Sequence, residues 1–252
     1  MKKQCFKFFL TAAVLLFLTS CVSTDKMVYF NKGETTPDLK TLQNYEPVLE
    51  PGDLLTIHIS TINPEAAVPF NLYETQQNYG TPKQLPYLVN AKGEINFPVL
   101  GTLKVTGYTT TQLSEHIKTL LVDHLVNPTV NVRLTNFKVS VLGDVKSPGV
   151  YTVATERITI LEALGLAGDL QIQGKRQTVT LVREHKGERI MATIDLTDKK
   201  LFESPYYYLV QNDAIYVEPN KTKINSSAVG SNTGIFLSTI STLISLIAIF
   251  TR

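Results

Sequence analysis

Residues 45–60 read YEPVLEPGDLLTIHIS, and this stretch decides how the first half of the chain folds. Pro51-Gly52-Asp53 is typical of a tight turn, because proline fixes one backbone angle and glycine accepts a left-handed conformation. Leu55, Ile57 and Ile59 then alternate with polar residues. This period of two predicts a half-buried β-strand that begins directly after the turn.

The residues that follow this strand predict a mixed α+β domain over residues 45–135. Apolar residues on both sides of a turn at residues 90–93 predict a hairpin over residues 87–97. Helical spacing over residues 109–125 predicts an amphipathic helix, and Thr109 and Gln112 have the spacing of a capping box. A second alternating stretch, residues 130–135, predicts another strand.

A second domain of the same class is predicted over residues 137–219. Short strand patterns recur along it, and Thr159 and Glu162 form a capping box at the start of a short helix. Gly168 stands where a glycine would end that helix. Strands around one helix predict a small β-grasp-like domain. The predicted fold class is therefore α+β, with two small mixed α/β domains and a C-terminal transmembrane helix.

The N-terminus has the pattern of a secretory signal over residues 1–20: a basic start, an apolar run at residues 8–18, and small residues before Cys21. Leu18-Thr19-Ser20-Cys21 resembles the bacterial lipobox. That resemblance implies that Cys21 receives lipid, palmitate included, and becomes the first residue of the mature chain. Cys5 lies within the signal, so no disulfide can form within the mature chain. Residues 21–44 are predicted to be a polar tether to the first domain.

The C-terminus carries the second membrane signal. Residues 220–233 are predicted to be a linker, and residues 234–250 contain no charge. As a helix, residues 234–250 have an apolar side and a side made of small and hydroxyl residues. The hydroxyl-bearing side consists of Gly234, Ser238, Ser241, Thr242 and Ser245. These hydroxyls either bond to carbonyls of their own helix or pack closely against a neighbouring helix, or they face water inside a ring of identical helices.

Charge and motif content exclude several function classes. Three of the 24 basic residues lie in the first 20 positions, which contain no acid, so the rest of the chain has 21 basic and 22 acidic residues. Binding nucleic acid needs a clustered basic face, and this balance gives none. The sequence contains neither a Walker-type phosphate loop nor a G-x-S-x-G nucleophile motif. No cofactor is expected.

The candidate catalytic and metal-binding residues are interpreted as structural. Asp53, Asp144 and Asp169 each follow a glycine, where an aspartate usually accepts hydrogen bonds from the backbone of a turn. The four histidines are scattered without the spacing of metal ligands; they are His58, His116, His124 and His185. The chain is therefore predicted to have no catalytic residue and no metal site, and not to be an enzyme.

Five stretches together resemble a known family. YEPVLEPGDLL at residues 45–55, GEINFPVLG at residues 93–101 and NPTV at residues 127–130 resemble the export domain of Wza-like polysaccharide export lipoproteins. VLGDVKSPGVY at residues 141–151 and TILEALGLAG at residues 159–168 resemble the SLBB (soluble ligand-binding β-grasp) domain. Longer members of the family carry two SLBB-like domains, whereas this sequence has room for one.

The resemblance implies a lipid-anchored, octameric ring in the bacterial outer membrane, with its globular domains in the periplasm. The C-terminal helices of the ring would form a porin-like channel for capsular polysaccharide or exopolysaccharide, lined by Gly234, Ser238, Ser241, Thr242 and Ser245. The implied partners are the polysaccharide, membrane lipid and an inner-membrane polysaccharide co-polymerase with its tyrosine kinase. The alternative is a lipoprotein that scaffolds a periplasmic assembly without conducting anything.

Overall fold

The computed structural model describes residues 24–33, 45–74, 83–185, 187–229 and 233–250. The predicted signal peptide and the predicted lipidation site, Cys21, lie outside the described residues. Over the described residues the chain is a mixed α/β protein with several sheets and helices, as predicted.

The first half of the described chain is built from five strands and two helices. They are β1 (Leu54–Ser60), α1 (Pro64–Ala67), β2 (Tyr87–Leu88), β3 (Glu94–Phe97), β4 (Gly101–Lys104), α2 (Thr110–Leu121) and β5 (Thr129–Leu134). A short 3-10 turn, Val68–Phe70, follows α1. The strands β2, β1 and β5 form an antiparallel sheet in that order, and α2 packs on it through Leu113, Ile117 and Leu121. The predicted capping box of α2 is confirmed, since Thr109 and Gln112 bond each other's backbone N–H groups.

The hairpin predicted over residues 87–97 was wrong in its pairing. A turn does form there, because the Asn90 side chain accepts hydrogen bonds from the N–H groups of Lys92 and Glu94. However, β2 pairs with β1, and β3 pairs with β4 instead. The central strand β1 provides a long, fully apolar inner face, which is a better partner for Tyr87 than the short strand β3 is.

The second half has seven strands and one short helix within its sheet-forming region. They are β6 (Lys138–Gly143), β7 (Gly149–Thr152), β8 (Ile158–Thr159), α3 (Ile160–Leu166), β9 (Gly174–His185), β10 (Glu188–Ile194), β11 (Tyr208–Leu209) and β12 (Ala214–Pro219). The main sheet has the order β10-β9-β12-β6-β7, with β6 and β12 parallel, and β8 pairs with β11. The predicted capping box of Thr159 and Glu162 is confirmed, and Gly168 ends the helix at φ +74°.

Each half has its own hydrophobic core. One cluster of buried side chains runs from Leu49 to Val132, and the other runs from Phe137 to Val217. Leu134 packs against both clusters. The two halves therefore meet at the short connection after β5, and this junction forms the cavity described below.

The segment before the first domain lies on the second half of the chain. The N–H groups of Phe30 and Lys32 donate to the carbonyls of Leu196 and Thr197, at 3.2 and 2.9 Å. The Phe30 ring packs 5.1 Å from the ring of Phe202, which belongs to the 3-10 turn Lys199–Glu203. The predicted tether, residues 21–44, therefore includes a docked segment, because its aromatic residues find apolar partners on the second domain.

The predicted linker, residues 220–233, contains a helix, α4 (Lys221–Val229). It begins where the Asn220 side chain accepts a hydrogen bond from the N–H of Lys223, and its sequence has neither glycine nor proline before Gly230. A further helix, α5 (Thr233–Phe250), covers the residues predicted to cross the membrane. Judged over the described residues, no helix has the combined length and hydropathy needed to span a bilayer.

Candidate functional site

The predicted pore-lining residues lie along one helix, α5, and are exposed in the single chain. The hydroxyls of Ser238, Ser241 and Ser245 donate to carbonyls one turn earlier, each at 2.9 Å. Thr242 bonds in the same way to the carbonyls of Ser238 and Thr239. The sequence left open whether these hydroxyls bond to their own helix or face water in a ring of helices. In the single chain they bond to carbonyls of their own helix. These bonds leave the hydroxyl oxygens able to accept bonds from outside.

The junction between the two halves holds a cavity of about 300 Å³. Both halves and the segment that enters the first domain line it. Its lining residues are Tyr45, Glu46, Pro47, Val48, Glu50, Asp53, Leu134, Phe137, Arg183, His185, Ile190, Tyr206, Val210 and Gln211. A second, more open cavity of about 620 Å³ lies on the other side of residues 45–47 and includes Arg133 and Arg157 in its wall.

Asp53 is the buried carboxyl group of the first cavity. It is only 3% exposed, and its Oδ2 accepts a hydrogen bond from the backbone N–H of Glu50 at 2.9 Å. Within the described part of the chain, its Oδ1 has no hydrogen-bond partner. Burial raises the pKa of Asp53 to about 6, and the nearby charge of Glu50 acts in the same direction. The turn role predicted for Asp53 is confirmed, but that role uses only one of its two oxygens.

Two contacts connect the halves at the mouth of the cavity. His185, at the end of β9, lies 2.9 Å through Nδ1 from Oε1 of Glu50 in the first half. The rings of Tyr45 and Tyr208 stack nearly parallel, with centroids 4.7 Å apart. Stacked aromatic pairs add about 0.5–1.5 kcal/mol to the burial of their area. The entry segment is thus attached to the second domain as well as to the first.

A buried ion pair with Asp213 holds Arg183 in the cavity wall on the side of the second domain. Arg183 Nε lies 3.0 Å from Asp213 Oδ1, and Arg183 Nη2 lies 2.7 Å from Asp213 Oδ2. Asp213 is completely buried and also accepts a hydrogen bond from the N–H of Val210. Burial opposes the charged form of Arg183, but the hydrogen bonds and charge of Asp213 outweigh it, so the pKa of Arg183 is raised. The guanidinium also lies 5.5 Å from the centre of the Tyr206 ring.

The other glycine-aspartate pairs hold the second domain together. Asp169 accepts hydrogen bonds from the N–H of Leu170 and from the hydroxyl of Tyr29, and Asp144 pairs with Lys223 of α4. Burial, followed by the contact with Asp169, raises the pKa of Tyr29. Within the described residues, no cluster of His, Cys, Asp and Glu has the arrangement of a metal site.

The sequence did not predict that the residues of the cavity lie close together. Tyr206 and Tyr207 both pack against the core of the second domain. Tyr208 stacks on Tyr45 from the first half. One signal was available: Arg183 continues the inward face of β9 after the buried Val179 and Leu181. A charge at an inward strand position requires a buried partner.

Comparison with known proteins agrees with this architecture. Residues 41–135 match the family of polysaccharide biosynthesis/export proteins, and residues 138–193 match the SLBB domain. An EPS I polysaccharide export outer membrane protein of Ralstonia solanacearum is 31% identical over 130 residues, 48% of this chain and 34% of that protein. The protein of the same name from Ralstonia nicotianae is 30% identical over 145 residues, 54% of this chain and 38% of that protein.

The two matches occur in the order that the sequence motifs predicted. Residues 41–135 thus form an export domain of the polysaccharide biosynthesis/export family, and an SLBB domain follows it. The aligned region spans little more than a third of the length of the curated relatives. We refer below to the first half as the export domain and to the second as the SLBB domain.

Proposed function

We propose that this chain is an outer-membrane component of polysaccharide export, with both globular domains in the periplasm, and that it moves polymer without making or breaking bonds. The order of the export and SLBB domains carries the proposal. Two relatives that share these domains are named polysaccharide export outer membrane proteins. The substrate class is therefore capsular polysaccharide or exopolysaccharide, and no nucleic acid or cofactor is involved.

Membrane attachment would come from lipid on Cys21 and from α5. The segment that follows Cys21 and the helix that precedes α5 both contact one loop of the SLBB domain. Tyr29 donates to Asp169 in this loop, and the N–H of Asn220 donates to the carbonyl of Gln173 at 2.8 Å. The segment around Tyr29 and the start of α4 thus lie close together on the SLBB domain. This supports an arrangement in which the SLBB domain lies next to the membrane and the export domain lies farther into the periplasm.

The channel would be an octameric ring in which the α5 helices stand side by side. One helix cannot enclose a lumen, so a pore requires a closed ring of copies. The helix has 18 residues and a length of about 27 Å. Its apolar side chains Ile235, Leu243 and Ile244 are more than half exposed in the single chain, which favours burial against lipid or neighbouring copies. Gly234, Ser238, Ser241, Thr242 and Ser245 would then face the lumen.

Polar walls suit a conduit because a polymer must be released as easily as it is bound. The energy for movement would come from an inner-membrane polysaccharide co-polymerase and its tyrosine kinase, which the export domain would face.

A non-conducting periplasmic scaffold is the second candidate. The intrahelical hydrogen bonds of the α5 hydroxyls favour it, because these donors are satisfied without water or a neighbouring chain. A scaffold would tolerate apolar replacements on this side of the helix.

Single-channel conductance of the detergent-extracted oligomer in planar bilayers tests the pore. In the wild type we expect large steps, and in the variant Ser238→Leu/Thr242→Leu we expect steps that shrink or vanish, because leucine narrows the lumen and removes its hydroxyls. The matched control is Ile240→Leu/Leu243→Ile, which conserves volume at exposed apolar positions of the same helix. Its conductance should equal that of the wild type.

All three proteins must first be shown to form the same oligomer by size and mass. If the wild-type oligomer inserts into the bilayer but shows no conductance, the scaffold is favoured. Equal conductance in the leucine variant would show that another side of α5 faces the lumen.

A further inference from the structure

The junction cavity has features of a binding site that packing alone does not explain. Its volume, about 300 Å³, is at the lower end of the range for small-ligand pockets. Tyr45, Tyr206 and Pro47 give it flat apolar walls, and a few polar groups converge on the same space. Rings and flat apolar faces suit the C–H face of a sugar ring, while its hydroxyl edge needs hydrogen-bond partners.

Asp53 supplies the most specific of these polar groups. Buried carboxylate oxygens in proteins are almost always hydrogen-bonded. Among the described residues, however, Oδ1 of Asp53 has no partner, although the side chain is only 3% exposed. Oδ1 itself is covered, so a ligand reaches it only with a small shift of the cavity wall. An O–H or N–H⁺ donor of the ligand would then satisfy this acceptor, and hydroxyls and amino groups are the donors of sugars.

The charges around the cavity restrict the ligand further. Glu46, Glu50 and Asp53 contribute three carboxylates to its wall. The one arginine in the wall, Arg183, is already paired with the buried Asp213. His185 lies against Glu50, so its ring offsets at most one carboxylate. The excess of negative charge disfavours a uronic acid and favours a neutral or amino sugar.

We propose that the cavity between the export and SLBB domains binds one non-acidic saccharide unit. Asp53 and Glu50 accept hydrogen bonds from the hydroxyl or amino groups of this sugar. The side of the cavity formed by Tyr45 and Tyr206 contacts its ring. The proposal rests on the proposed export function for the source of the sugar, which is either a unit of the exported polymer or a free oligosaccharide. Because the site joins both domains, its occupation stabilises their relative position.

Isothermal titration calorimetry of the full-length oligomer in detergent tests this site with three probes: maltotriose, the glucosamine trimer and trigalacturonate. We expect saturable binding of the first two and binding of trigalacturonate at least roughly tenfold weaker, the effect of losing one charged hydrogen bond. Asp53→Asn should weaken binding of the glucosamine trimer by about tenfold, because the amide carries no charge. Competition by the purified exported polymer distinguishes polymer units from free oligosaccharides.

Glu50→Gln is the second variant, since Glu50 lies at the surface and its replacement leaves the buried turn intact. It should also weaken binding of the glucosamine trimer. Glu184→Gln is the matched control, because Glu184 lies next to His185 on β9 in an exposed pair with Arg189 and outside the cavity wall. Its binding should equal that of the wild type. Absence of saturable binding, equal binding of trigalacturonate, or unchanged binding in both cavity variants would overturn the proposal. Export is measured separately, in a strain that lacks the chain. The proposal of a sugar-binding site can therefore be wrong while the proposal of export remains correct.

Discussion

Replacing Arg183 by methionine is expected to destabilise the SLBB domain by about 3–5 kcal/mol. The side chain of Asp213 is completely buried, and Arg183 is its bidentate partner, with contacts of 2.7 to 3.3 Å. Methionine fills a similar volume but leaves the Asp213 carboxyl without its guanidinium partner away from water, where burial already raises the pKa of this group. Only the backbone N–H of Val210 would still bond it. The free energy of unfolding from urea titrations, followed by circular dichroism, measures the effect.

The control for this change is Arg189→Met on the neighbouring strand. Arg189 pairs with Glu184 at 2.8 Å, but both side chains are 68% exposed, so water replaces the lost contact. Its loss should cost no more than about 0–1 kcal/mol. The double variant Arg183→Met/Asp213→Leu should recover much of the lost stability, because it removes the unpaired charge as well. A single Arg183→Met variant as stable as the control would contradict this account of the buried pair.

Replacing Gly143 by alanine is expected to cost about 3 kcal/mol or more. Gly143 ends β6 at φ +90°, and an added Cβ would lie 2.1 Å from the carbonyl oxygen of Val217 on the parallel strand β12. The clash is with backbone, so no side-chain rotation relieves it. The pairing of β6 with β12 would have to shift, and this pairing joins the β10-β9-β12 part of the main SLBB sheet to β6 and β7. Thermal unfolding of the variant measures the loss.

Gly165→Ala provides the opposite control in the same domain. Gly165 lies within α3, is exposed, and an added Cβ would have no atom within 4 Å. Alanine there should stabilise the domain by about 0.5–1 kcal/mol through its better helix propensity. If Gly143→Ala were tolerated as well as Gly165→Ala, the close approach of β6 and β12 would be incorrect.

Local signals in the sequence were sufficient for much of the fold. The capping boxes at Thr109 and Thr159 predicted the starts of two helices, because each satisfies its own backbone donors within four residues. The alternating residues of β1 predicted a strand for the same reason: the pattern and its structural cause lie in one short segment. Asn212, at the turn before β12, adopts φ +66°, which asparagine accepts more readily than most other side chains.

Features that depend on distant partners were not predicted. The pairing of β3 with β4 depends on competition for β1, and docking of Tyr29 and Phe30 depends on a surface more than 130 residues away in sequence. The candidate site is of the same kind. Glu50 and His185 stand 135 positions apart, and nothing near either residue indicates the other. The family motifs predicted the class of protein, but the cavity arises only from the meeting of two separately folded domains.

The most direct measurement of the proposed function locates the polymer in a strain of the bacterium from which this chain has been deleted. Surface and extracellular polysaccharide are compared with polysaccharide retained inside the cells. We expect that polymer is still made but is retained, that extracellular polymer falls to near background, and that the wild-type chain restores it. Unchanged extracellular polymer would contradict a role in export, and loss of polymer both inside and outside the cells would assign the chain to synthesis instead.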